Sequence, residues 1–265
     1  MDYYPEDILD VPDNPSCPMN MPNLAWNSPS IFKYIDCSPD TLGIPNLGDI
    51  NVTLPDWKTK ELRRAYYAAT SYADHELGRV INELYKQGVE NDTIIVFWGD
   101  HGWQLGEHAE WNKQTLFEIA NRVPFMIRIP GVTDHGMKTS KLVELVDLFP
   151  TLVEAAGFET LNSCPMPSND EKLCTEGRSM LPLFEDPETP IWDDTVFWQF
   201  ARGGYQDTIV PNQMGYSIRT PDFRYTEYVN IKNLGDFKYE PEWDNPADHE
   251  ELYDLRIDPQ ENVNL

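Results

Sequence analysis

The sequence predicts an α/β fold that ends in a small α+β subdomain built on an antiparallel sheet. An amphipathic stretch over residues 58–87 is followed closely by a continuous apolar run over 93–98. A second apolar run over 123–129 precedes a second helical pattern, and three shorter runs follow after residue 195. Helices that alternate with buried strands are typical of an α/β domain, whereas consecutive short strands form antiparallel sheets.

The composition supports a folded core and excludes two classes of partner. Of the 265 residues, 40% are hydrophobic and 12% aromatic, but no run approaches the roughly 18 apolar residues of a membrane span. The net charge of −25 repels nucleic acid and anionic membranes, so any anionic substrate needs a local cluster of positive groups. The first residues, Met1–Glu6, carry no basic flank or apolar stretch, which predicts no signal peptide.

Residues 1–57 predict an extended segment, because prolines interrupt them too often for a long element. A long amphipathic helix follows over 58–87, ended by Gly88. Its apolar residues recur at spacings of three and four: Leu62, Tyr66, Ala69, Ala73, Leu77, Val80 and Leu84.

The two apolar runs and the second helical region complete the predicted core, residues 58–181. The β-branched and aromatic run over 93–98 predicts a strand buried on both faces, as in a parallel sheet. Residues 123–129 predict the next strand. A helical region over 141–156 is interrupted by Pro150, which suits the first turn of a following helix.

The C-terminal region predicts a linker and a separate subdomain. Prolines among acidic residues indicate the linker over 182–194, and the subdomain extends over 195–265. Its predicted strands are 196–200, 214–220 and 223–229, with Pro221-Asp222 as the turn between the last two.

The loop after the first strand carries the candidate chemistry. Asp100 and His101 follow the strand directly, and ligands bind outside the carboxyl ends of strands in α/β sheets. A carboxylate there is a suitable ligand for a hard cation such as calcium. His108 and Lys113 follow in the same loop, and a cation with Lys and His is what a tetrahedral dianion requires.

The alternative is a solvated loop in which Asp100 is a cap and His101 a surface residue. Trp103 and Trp111 argue against it, because indole rings are costly to expose in a loop that only connects two strands.

Four cysteines and two sequons suggest an oxidising compartment, so we expect a lysosomal or secreted protein. The cysteines lack C-x-x-C spacing, which disfavours a zinc knuckle. Asn51 and Asn91 each begin a sequon and are predicted glycosylation sites. The predicted absence of a signal peptide argues against that compartment, unless the start of the chain is missing.

Several motifs in order resemble the sulfatase family of alkaline-phosphatase-like hydrolases, in which a sheet lies between layers of helices. The resemblance implies that the chain is the C-terminal part of this fold. The motifs are Asp100-His101-Gly102, Gly106-Glu107-His108 with Lys113, Arg122-Val123-Pro124 to Pro130-Gly131, Val146-Asp147-Leu148-Phe149-Pro150-Thr151-Leu152, and Glu251-Leu252-Tyr253-Asp254-Leu255 with Asp258-Pro259-Gln260-Glu261.

The resemblance implies roles for five residues of the loop and its surroundings. Asp100 and His101 would face one calcium ion, but nitrogen is a poor calcium ligand, so His101 could instead bond the sulfate or the nucleophile. Lys113 would contact the sulfate, which makes Lys113 and His101 the predicted catalytic residues. Trp103 and Gln199 would line the sugar pocket, and His108 is also predicted to contact substrate.

Within the family, the resemblance is to the iduronate 2-sulfatases, which remove the 2-O-sulfate of iduronate in heparan and dermatan sulfate. It includes Cys164-Pro165 to Cys174 and Met214–Thr220. We predict that Cys164 and Cys174, which bracket a short polar loop, are bonded to each other, and that a sulfated glycosaminoglycan or another sulfate ester is the partner.

One departure concerns the nucleophile. Sulfatases use a formylglycine made from the cysteine of C-x-P-x-R, preceded by an Asp pair, and this sequence has neither in the family's order. Cys37-Ser38-Pro39-Asp40-Thr41 has Thr41 in place of the required Arg, so Cys37 is predicted to be a disulfide partner of Cys17 or a free thiol.

We therefore expect an incomplete and inactive sulfatase, whose formylglycine and N-terminal half would come from a missing segment or another polypeptide. Two alternatives remain open. One is a non-catalytic binding module, and the other is a phosphodiesterase or phosphonate hydrolase of the same superfamily, because sulfate and phosphate are nearly isosteric.

Overall fold

The computed structural model describes residues 3–27, 31, 34–45, 50, 52–165, 173–202, 212–235 and 238–265. The predicted glycosylation site Asn51 lies outside these residues. The mixed α/β fold predicted from the sequence is confirmed, with one two-stranded sheet, one four-stranded sheet and helices around them.

The N-terminal segment contains a short helix, α1 (Pro39–Leu42), and two 3-10 turns at Glu6–Ile8 and Ile35–Cys37, and its other described residues are mostly irregular. It does not form a core of its own. Met21 and Ala25 are buried against Leu116 and Phe117, which belong to the loop region after the first strand. The proline-rich segment therefore packs against the residues that follow Lys113.

Helix α2 (Asp56–Gln87) confirms the predicted amphipathic helix. It ends as predicted at Gly88, whose φ of 67° is left-handed and whose backbone N–H is bonded to Leu84 and Tyr85 carbonyls. Much of its predicted apolar face is nevertheless open, because Tyr66 and Val80 are exposed, and Tyr72 and Tyr85 on other positions of the helix are exposed as well.

The first sheet differs from its prediction. Strand β1 (Ile95–Trp98) pairs antiparallel with β2 (Phe125–Arg128), and Trp98 faces Phe125 in the register. A strand buried on both faces in a parallel sheet was the wrong prediction, because Phe97 and Trp98 remain 38% and 45% exposed. The apolar run alone could not distinguish a strand with two covered faces from one whose outer face is open.

The second helical region is shorter than predicted. Helix α3 (Glu118–Asn121) precedes β2, and helix α4 (Leu148–Ala155) contains Pro150 in its first turn, as predicted. Residues 141–144 are not helical, because Asp194 accepts the backbone N–H of Leu142 at 2.7 Å. The carbonyl of Leu142 in turn accepts a hydrogen bond from the indole of Trp192.

The predicted antiparallel C-terminal sheet is confirmed. Helix α5 (Leu181–Glu185) precedes it. The strands are paired in sequence order: β3 (Val196–Arg202), β4 (Gln213–Arg219), β5 (Phe223–Gly235) and β6 (Lys238–Asp254). The sequence analysis did not identify β6 as a strand, because its acidic and proline-containing first part lacks alternating apolar residues.

A buried polar network ties this sheet to the end of the chain. Arg224 is completely buried and forms an ion pair with Glu261. Glu251 accepts hydrogen bonds from the hydroxyls of Tyr228 and Tyr253 at 2.7 and 2.8 Å. These contacts join the sheet to the closing segment, although Nη2 of Arg224 has no hydrogen-bond partner among the described residues.

Both ends of the chain meet at this network. Met19 and Val263 form a parallel bridge, and the backbone N–H of Met19 donates to Asn262 at 2.8 Å. The side chain of Asn264 donates to the carbonyls of Asn20 and Glu250.

The predicted disulfide between Cys164 and Cys174 is present. Cys17 and Cys37 are not bonded to each other, so that alternative is wrong. The thiol of Cys17 instead donates to the carbonyl of Ile50, and Cys37 is buried. Among the described residues, no helix combines the length and the apolar character that crossing a membrane requires.

Candidate active site

The turn after β1 is built by close backbone contact. Gly99 extends the strand pairing, because its N–H donates to the carbonyl of Pro124 at 3.1 Å. The N–H of Gly102 donates to Ala120 at 2.8 Å, and a Cβ at Gly102 would lie 2.1 Å from the carbonyl oxygen of Ile119. Only glycine fits there, so Asp100 and His101 are held between two fixed backbone positions.

The loop over 104–113, which follows this turn, is closed by two backbone hydrogen bonds between its two halves. The N–H of Gln104 donates to Asn112, and the N–H of Gly106 donates to Glu110, both at 2.9 Å. His108 and Ala109 at the tip have left-handed φ values of 55° and 58°, which non-glycine residues seldom adopt. The backbone pairing places Lys113 directly after the closed loop.

Glu110 anchors this loop from inside the protein. Its carboxylate accepts the backbone N–H of Asn27 at 2.8 Å and the amide of Asn112 at 3.1 Å. Burial raises the pKa of Glu110 to about 8, although these hydrogen bonds and the nearby Arg202 favour the charged form. A backbone N–H from the N-terminal segment and the charged side chain of Arg202 in β3 thus converge on the residue that shapes the loop.

The structure brings Asp100, His101 and Lys113 together. The Nζ atom of Lys113 lies 2.5 Å from Nε2 of His101, and Nε2 lies 3.4 Å from the carboxylate of Asp100. Nδ1 of His101 is bonded to the carbonyl of Gly102 at 2.8 Å, which fixes the ring orientation. The three side chains form a patch with a cation, an imidazole and a carboxylate at the end of β1.

Trp103 lies beside this patch, with its ring centroid 6.2 Å from that of His101. It lines a shallow apolar cavity of about 340 Å³ with Leu62 and Tyr66 of α2. Trp111 is buried against Leu54, which agrees with the argument against a solvated connecting loop. The aromatic wall next to the cluster is therefore shared by the loop and α2.

The structure does not bring His108 into the cluster. Its ring packs on Phe117 with centroids 4.4 Å apart, and Nε2 lies 2.7 Å from the carbonyl of Gln260. Burial lowers the pKa of His108 to about 4. A buried neutral imidazole that joins the loop to the closing segment has a structural role, so we correct the substrate contact predicted for His108.

Gln199 lies on the exposed face of β3, opposite Tyr216 of β4. No hydrogen bond between the Gln199 side chain and Asp100, His101 or Lys113 occurs among the described residues, so the structure gives it no place in the cluster. Its role in a sugar pocket stays a prediction.

A calcium site requires six to eight oxygen ligands. The side chain of Asp100 is 83% exposed, and one of its oxygens accepts the backbone N–H of His101 at 3.1 Å. Across the part of the chain that the structure describes, no three His, Cys, Asp or Glu side chains are grouped as metal ligands. These residues alone therefore do not fit a calcium ion.

Cys37 does not fit the role of a nucleophile. It is buried, and burial raises the pKa of its thiol, so the reactive thiolate is disfavoured.

Glu110 and Arg202 are the supporting residues that sequence reasoning missed. Their partners lie far along the chain, for example Asn27 for Glu110 and Ala25 for Arg202, and no short motif connects them.

Comparisons with known proteins agree with this arrangement of motifs. The sequence model described as Sulfatase matches residues 16–158, and the model described as N-sulphoglucosamine sulphohydrolase, C-terminal, matches residues 106–265. Human iduronate 2-sulfatase is 33% identical over 272 aligned residues, which cover 86% of this chain and 48% of the relative. The chain thus spans about half the length of the curated relatives it matches.

Two solved structures are similar in fold. The structure of BT4656 in complex with its substrate D-glucosamine-2-N,6-O-disulfate has a TM-score of 0.61 and 28% identity, covering 78% of this chain and 37% of that one. The phosphonate monoester hydrolase of Agrobacterium radiobacter has a TM-score of 0.58 and 26% identity, with the same coverages. The family models each match more than half of the chain, and the match over residues 16–158 contains the whole Asp100–Lys113 loop. The chain therefore belongs to the sulfatase family.

Proposed function

We propose that this chain forms the sulfate-binding part of a sulfuric ester hydrolase. The observation that carries the proposal is the cluster at the end of β1, where Lys113 lies 2.5 Å from His101 and His101 lies next to Asp100. Because the protein has a net charge of −25, a sulfate group is attracted only where a local cation is presented. Lys113 is exposed at such a position.

The residues of the chain have separate roles in this proposal. The ammonium of Lys113 neutralises charge on the sulfate oxygens, and fixed donors of this kind are most effective where charge develops during reaction. Nδ1 of His101 donates to the Gly102 carbonyl, so Nε2 accepts from the ammonium of Lys113 and orients it. Glu110 positions Lys113 by holding the loop, and Trp103 offers an apolar wall for a sugar ring.

The cofactors of the family enter only as a proposal. A calcium ion would supply further positive charge, and Asp100 would be one of its ligands, while other oxygens would come from a different polypeptide segment. The nucleophilic formylglycine would come from such a segment as well, since the sequence has no C-x-P-x-R motif.

The proposed substrate is a sulfated sugar, and within that class a glycosaminoglycan that carries 2-O-sulfated iduronate. The similarity to human iduronate 2-sulfatase supports this substrate, and the BT4656 structure supports a sulfated sugar in general. A phosphonate monoester is the second candidate, because the Agrobacterium hydrolase is similar in fold at 26% identity.

Anion binding by the 265-residue chain tests the proposal directly. We expect sodium sulfate to shift the NMR resonances of His101 and Lys113, and Lys113→Ala to weaken this binding by about tenfold or more. Lys138→Ala, which changes an exposed lysine outside the cluster, is the matched control. Equal sulfate affinity in all three proteins would contradict the proposal. Tighter binding of methylphosphonate than of sulfate would favour the phosphonate alternative.

The compartment is a second part of the proposal. We place the protein in the secretory pathway or the lysosome, and the Cys164–Cys174 disulfide supports this, because disulfides persist in oxidising compartments. Asn91 is exposed and available as a glycan acceptor. Expression in a secreting eukaryotic cell should yield a protein whose mass falls on glycosidase treatment. An Asn91→Gln variant with an unchanged glycan mass would exclude this acceptor.

A further inference from the structure

Arg63 of α2 is bound to the loop that precedes Lys113. Its side chain is 14% exposed, and Nη1 donates to the carboxylate of Glu107 at 3.1 Å and to the carbonyl of Leu105 at 3.3 Å. The same Glu107 carboxylate accepts the backbone N–H of Leu105 at 2.5 Å. One guanidinium and one carboxylate thus hold both backbone polar groups of Leu105.

The guanidinium of Arg63 is also held on the helix side. Its Nη2 donates to the hydroxyl of Tyr67, one turn further along α2, at 3.1 Å. The ring of Tyr67 packs against that of Tyr4, with centroids 5.6 Å apart, and the hydroxyls of Tyr4 and Ser71 lie 2.6 Å apart. Because a guanidinium is planar and rigid, bonds on both of its sides fix its orientation between α2 and the loop.

The residues that Arg63 holds belong to the first half of the closed loop. The N–H of Gln104 donates to the carbonyl of Asn112, and the N–H of Gly106 donates to that of Glu110, so this half is bonded to the second half. Asn112 directly precedes Lys113 in the sequence. A shift of the first half would therefore be transmitted to the residue that carries the ammonium.

The same contact determines how α2 lies relative to Trp103. Leu62 and Tyr66, which flank Arg63 in the helix, line the shallow apolar cavity together with Trp103 and Leu105. An ion pair whose side chains are largely covered is screened by salt less than an exposed pair. The pair between Arg63 and the loop thus fixes both the cavity wall and the base of the cluster.

We propose that Arg63 is a positioning residue for sulfate binding. Through Glu107 it holds the loop in the geometry that keeps the ammonium of Lys113 beside His101. The guanidinium is bound by α2 and by the loop, so it acts through Lys113 and not by contact with the substrate. This inference rests on the proposed function, in which Lys113 binds the sulfate.

Two substitutions separate positioning from a simple effect of charge. Arg63→Gln removes a positive charge and Glu107→Gln a negative one, so a through-space effect would weaken sulfate binding in the first variant and strengthen it in the second. If the pair positions the loop, each variant weakens binding by about tenfold, and the double variant is no weaker than either. Titration of the 265-residue chain with sodium sulfate, followed by NMR, measures these affinities.

Arg79→Gln is the matched control. Arg79 lies on the same helix, its side chain is 69% exposed, and it pairs with Glu76 at the surface. An exposed pair of this kind contributes little to structure, so this variant should bind sulfate as the wild type does. The affinities are compared at a temperature at which circular dichroism shows every protein to be folded.

Hydrogen exchange without ligand tests the positioning independently of the proposed function. The amides of Gln104 and Gly106 should exchange about tenfold faster in Arg63→Gln and Glu107→Gln, whereas those of β4 and β5 should exchange as in the wild type. Should Arg63→Gln fail to fold, Arg63→Lys replaces it, because an ammonium keeps the charge without the planar fork, and the same loop amides must exchange faster.

Two results would overturn the role of Arg63. One is tighter sulfate binding by Glu107→Gln than by the wild type, and the other is unchanged exchange of the loop amides in both single variants. Faster loop exchange in a chain whose wild type binds no sulfate would instead refute the proposed function, while it would support the positioning of the loop by Arg63.

Discussion

The Nε2 atom of His108 lies 2.7 Å from the main-chain carbonyl of Gln260, although 152 positions separate the two residues in the sequence. This bond joins the tip of the loop that positions Lys113 to the segment that closes the fold. Glu261, the next residue, accepts the backbone N–H of Glu118 at 2.8 Å and pairs with Arg224. The geometry of the candidate site is thus maintained by the end of the chain.

The buried neutral His108 should make stability fall in acid. Its pKa is about 4 in the folded protein and 6.5 ordinarily, so its contribution is complete above about pH 6.5 and is lost as the pH falls through about 4. The full effect is at most about 3 kcal/mol. Urea unfolding of wild type and His108→Gln at several pH values measures it. A stability difference between the two proteins that does not change with pH would contradict this assignment.

Glu110 should have the opposite pH dependence. Because its pKa is raised from 4.5 to about 8, its contribution is complete below about pH 4.5 and is lost as the pH rises through about 8. Glu110→Gln should therefore flatten the decline of unfolding free energy between those values. Glu159→Gln, at an exposed glutamate outside the loop, is a suitable control. If Glu110→Gln retains the wild-type decline, the carboxyl titrates normally and is not a buried anchor.

The disulfide should stabilise the fold by about 2–3 kcal/mol, since it closes a short loop in the unfolded chain. Replacement of both Cys164 and Cys174 by serine should lower the urea midpoint accordingly. Mass mapping of oxidised protein is the direct check of the bond. Recovery of both cysteines as free thiols from secreted material would show that the bond is not formed.

Asp100 and Lys113 should separate metal binding from anion binding in an assembled enzyme. Asp100→Asn should lower calcium affinity and turnover together, because it removes a charged oxygen ligand. Lys113→Ala should keep calcium affinity but lower turnover by about 10²–10³, the usual loss for one charge-stabilising donor. Calcium titration and aryl sulfate kinetics on the same preparations test this division, and equal calcium loss in both variants would refute it.

The 265-residue chain alone should not hydrolyse an aryl sulfate, even with calcium present. Its only resemblance to a formylglycine site is at Cys37, which is buried and whose thiol pKa is raised. Lys113→Ala protein from the same host is the background control. Turnover above that background would show that the nucleophile lies in this chain, and Cys37→Ser would then be the first variant to assay.

Local sequence patterns correctly predicted the helices and strands that are determined by residues close to one another in the sequence. The spacing from Leu62 to Leu84 and the glycine at 88 predicted α2, and alternating residues near Met214 and Arg224 predicted two strands of the second sheet. The exposure of Trp98 was not predictable, because an apolar run does not reveal what covers it. Residues 141–144 were assigned to a helix for a similar reason, since Asp194, which holds them extended, is about 50 positions away.

At the candidate site, too, the sequence predicted what depends on neighbouring residues and did not predict what depends on distant ones. Asp100, His101 and Lys113 are near in sequence, and their grouping followed from one loop. His108 lies between them in the sequence, yet its side chain points into the core, because left-handed backbone at His108 and Ala109 reverses the chain there. Glu110 received no role because its function depends on Asn27, which is 83 positions away.

The bridge between Met19 and Val263 has a consequence for the order of folding. The neighbouring hydrogen bond between Asn264 and Asn20 joins residues 244 positions apart. Contacts at such a separation close a long loop of chain, so they are costly to form before the rest of the fold is in place. We therefore expect Met21 and Ala25, which pack in the core beside this bridge, to become buried only after β5 and β6 have paired.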